Sequence, residues 1–419
     1  MQLKAPSMLN RRHAVLKTLS LGAFALPVSN VLANLSEKPG RMVLVFLRGA
    51  FDGLSMLPPH GDAMYSQIRP NIAIPKPDGT LKTALSLDDI FGLHPACAAL
   101  LPLWQQGVLA AIPCAGSPDS SRSHFDAQYH WETGKPGSSA SAPGWLNVLS
   151  GVLGKGVSLH ALGVGESSPR ILTGPSPVQL VGNGLLATRP GILAESKTRE
   201  AILQLYADHE MMASAMLEGA NNRMSTAAVL KAPSMLASSE QQAANNGAGL
   251  PQGLALDAKH LGLLMQKNRQ LRLGFLSSGG WDTHINQGNV TGLLANNLTN
   301  LSNAIVQLRA FFNEPDDVIV VASEFGRTCA ENGTRGTDHG RGNLMLLLGQ
   351  RIQGGKWHGR WDGLGKDRLN EGRDLPVHHD FREIFAQVLT SSLGLPEDSV
   401  GEIFPSFRMD HSLRGLFRV

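Results

Sequence analysis

The sequence places an aspartate and a histidine side by side in a glycine-rich stretch, GTDHGRGNLMLLLG, at residues 336–349. A carboxylate next to an imidazole suits metal ligation or general acid–base chemistry. An ordinary turn with a solvated charge has the same composition. A chemical role for Asp338 and His339 is therefore indicated only if similar groups recur at equivalent structural positions.

Four other polar clusters each follow an apolar run that is typical of a buried strand. The clusters contain Asp52, then Asp119, Ser120, Ser121, Arg122, Ser123 and His124, then Asp282 and His284, then Glu324 and Arg327. Ligands of open parallel sheets bind beyond the carboxyl ends of the strands. We therefore expect all four clusters at one edge of a sheet, with the loop of Asp338 and His339 folded back over it.

These clusters combine carboxylates and imidazoles and contain no cysteine, which favours a divalent cation such as Zn²⁺, Mn²⁺, Mg²⁺ or Ca²⁺. A cation there would polarise a phosphoryl or sulfuryl oxygen. The serines are candidate nucleophiles, and the candidate anion-binding residues are Arg122, Arg327 and Arg341. Each acidic residue also has a structural explanation: a turn at Asp52, helix caps at Asp119 and Asp282, and an ion pair between Glu324 and Arg327.

The elements that must position these residues alternate along the chain. Strands are predicted at 41–48, 107–113, 271–276, 317–322 and 343–348. A helix is predicted between two of them, where Leu298, Leu301, Ile305, Leu308 and Phe312 recur every three or four residues. Strands that alternate with helical crossovers predict an α/β fold with a largely parallel sheet covered on both faces.

Residues from about 195 to 265 differ from their flanks, being rich in Ala, Met, Gln, Asn and Leu, with helical spacing at Ile202 and Leu205. Residues 231–250 have the small, polar composition of a loop. We interpret the region as a helical insertion. Two roles stay open, a cap over the site and a set of surface helices without a chemical role.

The N-terminus predicts an export signal over residues 1–33. Arg11 and Arg12 precede an apolar stretch, 14–28, and Val31-Leu32-Ala33 forms a small-residue cleavage pattern. The paired arginines favour the twin-arginine route, and a basic amphipathic first helix is the alternative. The mature chain, 34–419, is then expected in the periplasm or outside the cell, with no transmembrane segment.

Removal of the signal lowers the formal net charge from +3 to −1, because residues 1–33 carry four basic residues and no acids. Nothing basic then remains to indicate a nucleic-acid partner. The three cysteines, Cys97, Cys114 and Cys329, include no CxxC pair. A disulfide framework is not expected, although one bridge stays open in an oxidising compartment.

Export is expected to depend on the arginine pair itself. Replacing both Arg11 and Arg12 with lysine keeps the charge but removes the guanidinium fork that a pair-specific receptor reads. Precursor should then accumulate in the cytoplasm, as measured by immunoblotting of cell fractions. Normal export of the double variant would indicate the general secretory route.

The motifs FLRGAFDGL, SRSHFDAQYHWETG, GGWDTHINQGN, SEFGRT, ENGTRGTDHGRGN and GGKWHGRWDGL resemble those of the domain-of-unknown-function 1501 family. These exported bacterial proteins are related to alkaline phosphatases and sulfatases. The resemblance covers residues 40–415. It implies a three-layer α/β/α fold of the alkaline-phosphatase type, with the helical insertion added to it.

The resemblance to the wider superfamily also implies site roles. The implied metal ligands are Asp52, Asp282, His284, Glu324 and His339. Ser121, preferred over Ser120, would be the nucleophile, Arg122 would hold the ester anion, and His124 would be a general acid or a brace. Asp338 would orient His339 or bind a second metal. Phe325 stands where the superfamily carries a histidine, which puts a two-zinc phosphatase site in doubt.

Two functions follow from this reading. The first is an exported metal-dependent hydrolase that acts on a small anionic phosphate or sulfate ester through a serine nucleophile. The alternative is a non-catalytic envelope protein that keeps the hydrolase fold for binding or assembly. The resemblance implies an exported partner protein, encoded nearby, for this second function.

Overall fold

The computed structural model describes residues 39–137, 142–154, 159–206, 208–230 and 249–418. The predicted export signal and most of the predicted loop at 231–250 lie outside these residues. The strands are β1 Met42–Leu47, β2 Leu85–Ser86, β3 Gly92–Leu93, β4 Leu109–Gly116, β5 Ala161–Gly165, β6 Val178–Gly182, β7 Leu273–Ser278, β8 Val318–Ala322, β9 Asn343–Gly349, β10 Lys356–Trp357 and β11 His379–Asp380.

The α-helices are α1 Gly53–Met56, α2 Ala63–Ile68, α3 Leu101–Gln105, α4 His124–Thr133, α5 Trp145–Gly154, α6 Ser196–Leu205, α7 Glu210–Val229, α8 Leu254–Lys267, α9 Leu293–Phe311, α10 Phe381–Ser391 and α11 Val400–Ile403. Short 3₁₀ segments lie at Pro95–Leu100, Arg170–Leu172, Gly184–Thr188, Ile192–Ala194, Pro251–Gly253, Lys366–Arg368 and Glu397–Ser399. The predicted strands and the long predicted helix all appear, with ends shifted by at most a few residues.

The main sheet has the order β10-β4-β9-β8-β1-β7-β5-β6, and β11 also pairs with β4. The strands β8, β1, β7, β5 and β6 are parallel, which confirms the predicted, mostly parallel sheet. Strand β9 runs antiparallel to both β8 and β4. Because of this reversal, β9 begins at the edge where β1, β4, β7 and β8 end, and the loop before it arrives at that edge.

Helices cover both faces of the sheet, as the alternation of β1 shows. Val43, Val45 and Leu47 pack with the side of the core that contains α8 and α9. Met42, Leu44 and Phe46 pack with the opposite side, which contains α5 and α10. This two-sided burial makes the fold a three-layer α/β/α sandwich, as the resemblance implied.

The predicted insertion contributes α6 and α7, whose Leu205 and Met211 side chains are exposed. Helix α8, which the predicted boundary of about 265 included, instead buries Leu254 and Leu261 against the sheet. We therefore place the end of the insertion before α8, while its role as a cap stays a prediction. In the described parts of the chain, no helix is long and apolar enough to cross a bilayer.

All three cysteines are buried and free. Burial raises the pKa of Cys97 and, despite the nearby Arg69, that of Cys329 to about 12. No bridge links these three cysteines, all of which lie in the described residues, so stability rests on the packed core.

Asp257 on α8 gives the protein a pH-dependent stability term. Its buried carboxylate accepts a hydrogen bond from Gly184 N at 2.6 Å, and burial raises its pKa to about 7. The folded state therefore holds this proton more tightly than the unfolded state, so stability falls as pH rises from about 4 to about 7. We expect Asp257→Asn to raise the melting temperature at pH 8 and leave it nearly unchanged at pH 4, with at most ~4 kcal/mol gained.

The matched control is Asp398→Asn, which changes an exposed carboxylate and should leave both melting temperatures unchanged. Equal shifts for Asp257→Asn at the two pH values would contradict the prediction, because the effect would then not come from ionisation.

Candidate metal site at the carboxyl edge of the sheet

The loops that follow β1, β4, β7 and β8 meet the loop before β9 at one edge of the sheet. His339 Nδ1 lies 2.8 Å from the carbonyl oxygen of Arg122, in the loop after β4. His339 also forms an isolated β-bridge with Arg327, after β8. These contacts place the glycine-rich stretch, with Asp338 and His339, at the same sheet edge as the other polar clusters.

Two glycines of this stretch are required by close approach. A Cβ on Gly336 would lie 2.2 Å from the carbonyl oxygen of His284, and one on Gly340 would lie 2.6 Å from that of Arg327. Larger residues would push the loop away from these segments. Because Gly336 and Gly340 lack a Cβ, the segment that carries Asp338 and His339 packs directly against the backbone of His284 and Arg327.

Three imidazoles surround one carboxylate oxygen. Asp282 Oδ1 lies 3.0 Å from His284 Nε2, 3.4 Å from His339 Nε2 and 3.5 Å from His124 Nε2. The Nε2 atoms of His284 and His339 are 3.0 Å apart. Ligand atoms at zinc distances of 2.0–2.1 Å in a tetrahedral site are about 3.3 Å apart. His124, Asp282 and His339 offer ligand atoms within 4.8 Å of one another, as the ligands of one small cation would. His284 Nε2 lies next to two of these atoms and could join them.

The hydrogen bonds of the rings fix which nitrogen faces this centre. His124 Nδ1 lies 2.8 Å from Glu324 Oε1, and His284 Nδ1 lies 3.1 Å from Asp338 Oδ1. His339 Nδ1 faces the carbonyl oxygen of Arg122. Because every Nδ1 points at an acceptor, the neutral ring carries its proton there and directs the Nε2 lone pair inward. Two such lone pairs at 3.0 Å repel each other unless a proton or a cation lies between them.

An orphaned atom supports the same conclusion. Among the described residues, buried His124 Nε2 has no well-aligned hydrogen-bond partner, and the ring of His124 stacks on Phe325 with 4.9 Å between centroids. Buried polar atoms are rarely left unpaired. The residues present thus fit a divalent cation held by His124, Asp282, His284 and His339.

Two carboxylates of the site, Asp282 and Glu324, are held in the ionised form. Burial opposes ionisation of Asp282, but the adjacent imidazoles of His124 and His339 and the charge of Arg327 hold the pKa of Asp282 well below its usual range. Burial also opposes ionisation of Glu324, yet its bond to His124 lowers the pKa of Glu324 to about 2. Burial lowers the pKa of His124, but these two carboxylates more than compensate and raise it to about 9. Two fixed carboxylates therefore favour a positive charge at this point.

Asp52, which was expected to be a ligand, lies in a separate buried cluster. Its carboxylate pairs with both terminal nitrogens of Arg69 at 2.6 and 3.1 Å. It also accepts hydrogen bonds from Ser55 Oγ and Gln287 Nε2, each at 2.7 Å. Since these four donors saturate the carboxylate, we do not retain Asp52 as a metal ligand.

Glu324 and Asp338 contact the Nδ1 atoms of two candidate ligands, His124 and His284. Glu324 Oε1 accepts from His124, from Gly49 N at 2.8 Å and from Gln128 Nε2 at 2.9 Å. Asp338 Oδ1 lies 3.1 Å from His284 Nδ1, whereas the resemblance implied that Asp338 orients His339 or binds a second metal. Conversely His124, expected to be an acid or a brace, stands among the ligand atoms.

The three arginines that were expected to bind anions hold the loops of the site. Arg327 is buried, pairs with Asp282 and donates to the carbonyl oxygens of Gly49 and Ala50 at 2.7 and 2.6 Å. Arg122 Nη2 pairs with Glu371 at 2.9 Å, and Arg341 donates to Pro118 O at 3.0 Å. Their observed partners are thus protein groups.

The candidate serines lie in the loop that leads into α4. Ser121 N donates to Asp119 Oδ1 at 2.8 Å, and Ser121 Oγ accepts from Ser123 N at 3.2 Å. Ser123 Oγ caps the first turn of α4, and Ser120 is exposed. The hydrogen bonds described for these serines stay within the loop, so a catalytic role for either Ser120 or Ser121 stays a prediction.

Three buried residues that lie behind the candidate ligands, Gln128, Glu132 and Arg48, were not predicted from the sequence. The sequence does contain a pattern that indicates Gln128 and Glu132. His124, Gln128 and Glu132 follow one another at intervals of four on α4, so they share one face of the helix. A polar stripe at this spacing, directly after a strand, indicates a helix that turns a hydrogen-bonding face toward the sheet edge.

Comparison with known proteins finds a family model, "Protein of unknown function (DUF1501)", that matches residues 39–404. Among curated protein sequences, none matches the chain. Similar solved structures include the alkaline phosphatase of the Antarctic bacterium TAB5, 11% identical with a TM-score of 0.40, over 86% of this chain and 100% of that one.

Two further structures are similar at the same remote level. The zinc complex of the C-terminal periplasmic domain of EcEptC from Escherichia coli is 12% identical with a TM-score of 0.35, over 75% of this chain and 74% of that one. A protein in the alkaline phosphatase superfamily from Vibrio parahaemolyticus is 11% identical with a TM-score of 0.37, over 77% of this chain and 63% of that one.

Proposed function

The chain belongs to the DUF1501 family of proteins of unknown function, and from its site we propose that it is a metal-dependent hydrolase. Its cation would be held by His124, Asp282, His284 and His339. The observation that carries the proposal is the convergence of three Nε2 atoms on Asp282 Oδ1, with every Nδ1 facing an acceptor. Ligating histidines are held in this way in metal proteins.

The donor set favours Zn²⁺ among the four cations considered. Three imidazoles and one carboxylate suit zinc, whereas Mg²⁺ and Ca²⁺ take oxygen ligands and six or more of them. Apo protein titrated with zinc should therefore bind one equivalent. Binding of magnesium or calcium in preference to zinc would contradict the assignment.

The proposed substrate is a small phosphate or sulfate ester. A bound cation would polarise an ester oxygen and acidify a nearby hydroxyl or water. The site is open to a substrate, because the side chains of Asp282 and His284 are 36% and 37% exposed. In the proposed reaction Ser121 Oγ bonds to phosphorus or sulfur as the bond to the alcohol oxygen breaks, and the serine proton passes to the departing alcohol. Water then hydrolyses the seryl ester, which releases phosphate or sulfate and restores the serine hydroxyl.

Ser121 is preferred because its loop is tied to the cation site on the C-terminal side. The carbonyl oxygen of the next residue, Arg122, holds the ring of His339, and His124 follows two residues later. We expect Ser121→Ala to lower ester turnover by at least about a hundredfold while zinc stays bound, as covalent catalysis requires. Turnover of aryl phosphates and sulfates, with zinc content, is the measurement.

Ser120→Ala is the matched control, because Ser120 lies one residue away and is exposed. It should retain turnover. Full activity in both variants would remove serine from the mechanism and leave water as the nucleophile.

A second function is supported by Phe325, which packs on His124 where the superfamily carries a histidine. In this alternative the protein binds the cation but serves as a non-catalytic envelope component with an exported partner. Blank ester screens with the zinc-loaded protein, together with recovery of one stable partner from the envelope fraction, would favour it. Both proposals place the mature chain in the periplasm or outside the cell.

A further inference from the structure

A buried chain of polar side chains leads away from His124 into the protein. His124, Gln128 and Glu132 occupy one face of α4. Glu324, directly after β8, lies between His124 and Gln128, and Arg48, directly after β1, lies behind Gln128. Arg48 and Glu324 are fully buried, and Gln128 is 8% exposed. Such a chain is costly to bury unless each member is satisfied.

The amide of Gln128 has only one favourable orientation in this chain. Its Oε1 accepts from Arg48 Nη1 at 2.7 Å, and its Nε2 donates to Glu324 Oε1 at 2.9 Å. A flipped amide would place its NH₂ against a guanidinium, which only donates, and its oxygen against a carboxylate, which only accepts. Gln128 therefore adds one directional hydrogen bond to Oε1 of Glu324, whose Oε2 accepts from Ser323 Oγ at 2.8 Å.

Arg48 in turn is held on its other sides. Its Nε and Nη2 pair with the two oxygens of Glu166 at 2.5 and 3.0 Å, and its Nη1 also pairs with Glu132 at 2.7 Å. Glu132 Oε2 accepts from Ile171 N at 2.7 Å. These groups anchor Arg48 to the end of β5 and to the last turn of α4, so Gln128 meets a rigid partner.

Glu324 Oε1 connects this group of residues to the candidate metal site. It receives Gln128 Nε2 and Gly49 N as well as His124 Nδ1. Loss of the Gln128 donor would leave buried charge on Glu324 less compensated and free its carboxylate to shift. The ring of His124 would then lose the fixed direction of its Nε2 lone pair.

We propose that Gln128 is a positioning residue for the metal site, which acts through Glu324 to hold His124 Nε2 toward the cation. The inference rests on the proposed function, since it requires the cation site described above. Gln128 touches neither the cation nor the substrate in this proposal, and Arg48 holds Gln128 in place.

The test measures zinc affinity by chelator competition, together with the melting temperature of the metal-free protein. Gln128→Met keeps the volume but loses both hydrogen bonds, and zinc should bind about tenfold more weakly, as for other residues that orient ligands. Gln128→Glu keeps an acceptor for Arg48 but turns an oxygen toward Glu324. It should fold and also bind zinc more weakly.

Asn147→Leu provides the matched control, because it too removes a buried amide. Asn147 lies on α5 and bonds the carbonyl oxygens of Leu172 and Ser176 at 3.0 and 2.9 Å, away from the ligands. Its loss should lower the melting temperature without changing zinc affinity. A purely structural Gln128 would behave in the same way.

The outcomes separate the two proposals. If the unmodified protein binds zinc and both Gln128 variants bind it equally well, the positioning role is overturned and the metal site stands. If the unmodified protein binds no zinc, the proposed function itself fails and the positioning role fails with it. Weaker zinc binding in both Gln128 variants, with normal binding in Asn147→Leu, supports the inference.

Discussion

Replacing His339 with alanine is expected to lower zinc affinity by about a hundredfold while leaving the fold intact. Protein zinc sites bind with roughly 10–16 kcal/mol, so one ligand of four accounts for about 3 kcal/mol. The fold should survive because His339 lies in a glycine-rich loop and its side chain is 27% exposed. The measurements are chelator competition for zinc and thermal unfolding of the metal-free mature protein.

His160→Ala is the control for this variant. His160 precedes β5, at the opposite edge of the sheet, and its Nδ1 bonds the carbonyl oxygen of Gln270 at 2.8 Å. The His160→Ala variant should bind zinc with unchanged affinity. Retention of full zinc affinity by His339→Ala would reduce the glycine-rich stretch to a turn and remove the basis of the proposed function.

Replacing Asp52 with alanine should have the opposite result, a large loss of stability with zinc affinity unchanged. Removal of the carboxylate leaves the guanidinium of Arg69 buried without its countercharge, which costs about 3–5 kcal/mol. Urea unfolding measures the loss. Burial raises the pKa of Asp52, but Arg69 more than compensates and lowers it. The contribution is therefore present above pH about 4 and is lost as pH falls further.

A double variant, Asp52→Ala with Arg69→Met, tests the cause. It removes both charges, so it should lose less stability than the two single variants together. Loss of zinc from Asp52→Ala, with unfolding unchanged, would contradict this account and return Asp52 to the ligand set.

Five strands of the main sheet, one long helix, the fold class and the family followed from the sequence, whereas strands β5 and β6 were not predicted. Continuous apolar runs such as 42–47 and the spacing from Leu298 to Phe312 are local signals, since strand and helix periods are set by the backbone. The motif sequences carried the resemblance, and most of the residues that meet at the site, including Asp282, His284 and His339, were among the candidates.

The tertiary structure decided the direction in which strand β9 runs and the groups that each site carboxylate contacts. Sequence indicated that 343–348 forms a strand but not that β9 runs antiparallel, which is what brings His339 to the edge. A carboxylate after a strand also cannot be assigned from its neighbours. Asp52 and Asp282 both follow strands and both pair with a buried arginine, Arg69 and Arg327, yet only Asp282 also faces three imidazoles.

The same holds for the exchange of roles between His124 and Glu324. Both were candidates, but whether a group binds a cation or orients a ligand depends on which lone pair faces the centre. That direction is fixed by hydrogen bonds between residues 200 positions apart in the chain. The sequence determined which chemical groups are available at the sheet edge, and long-range hydrogen bonding, which no local pattern encodes, decided what each of them faces.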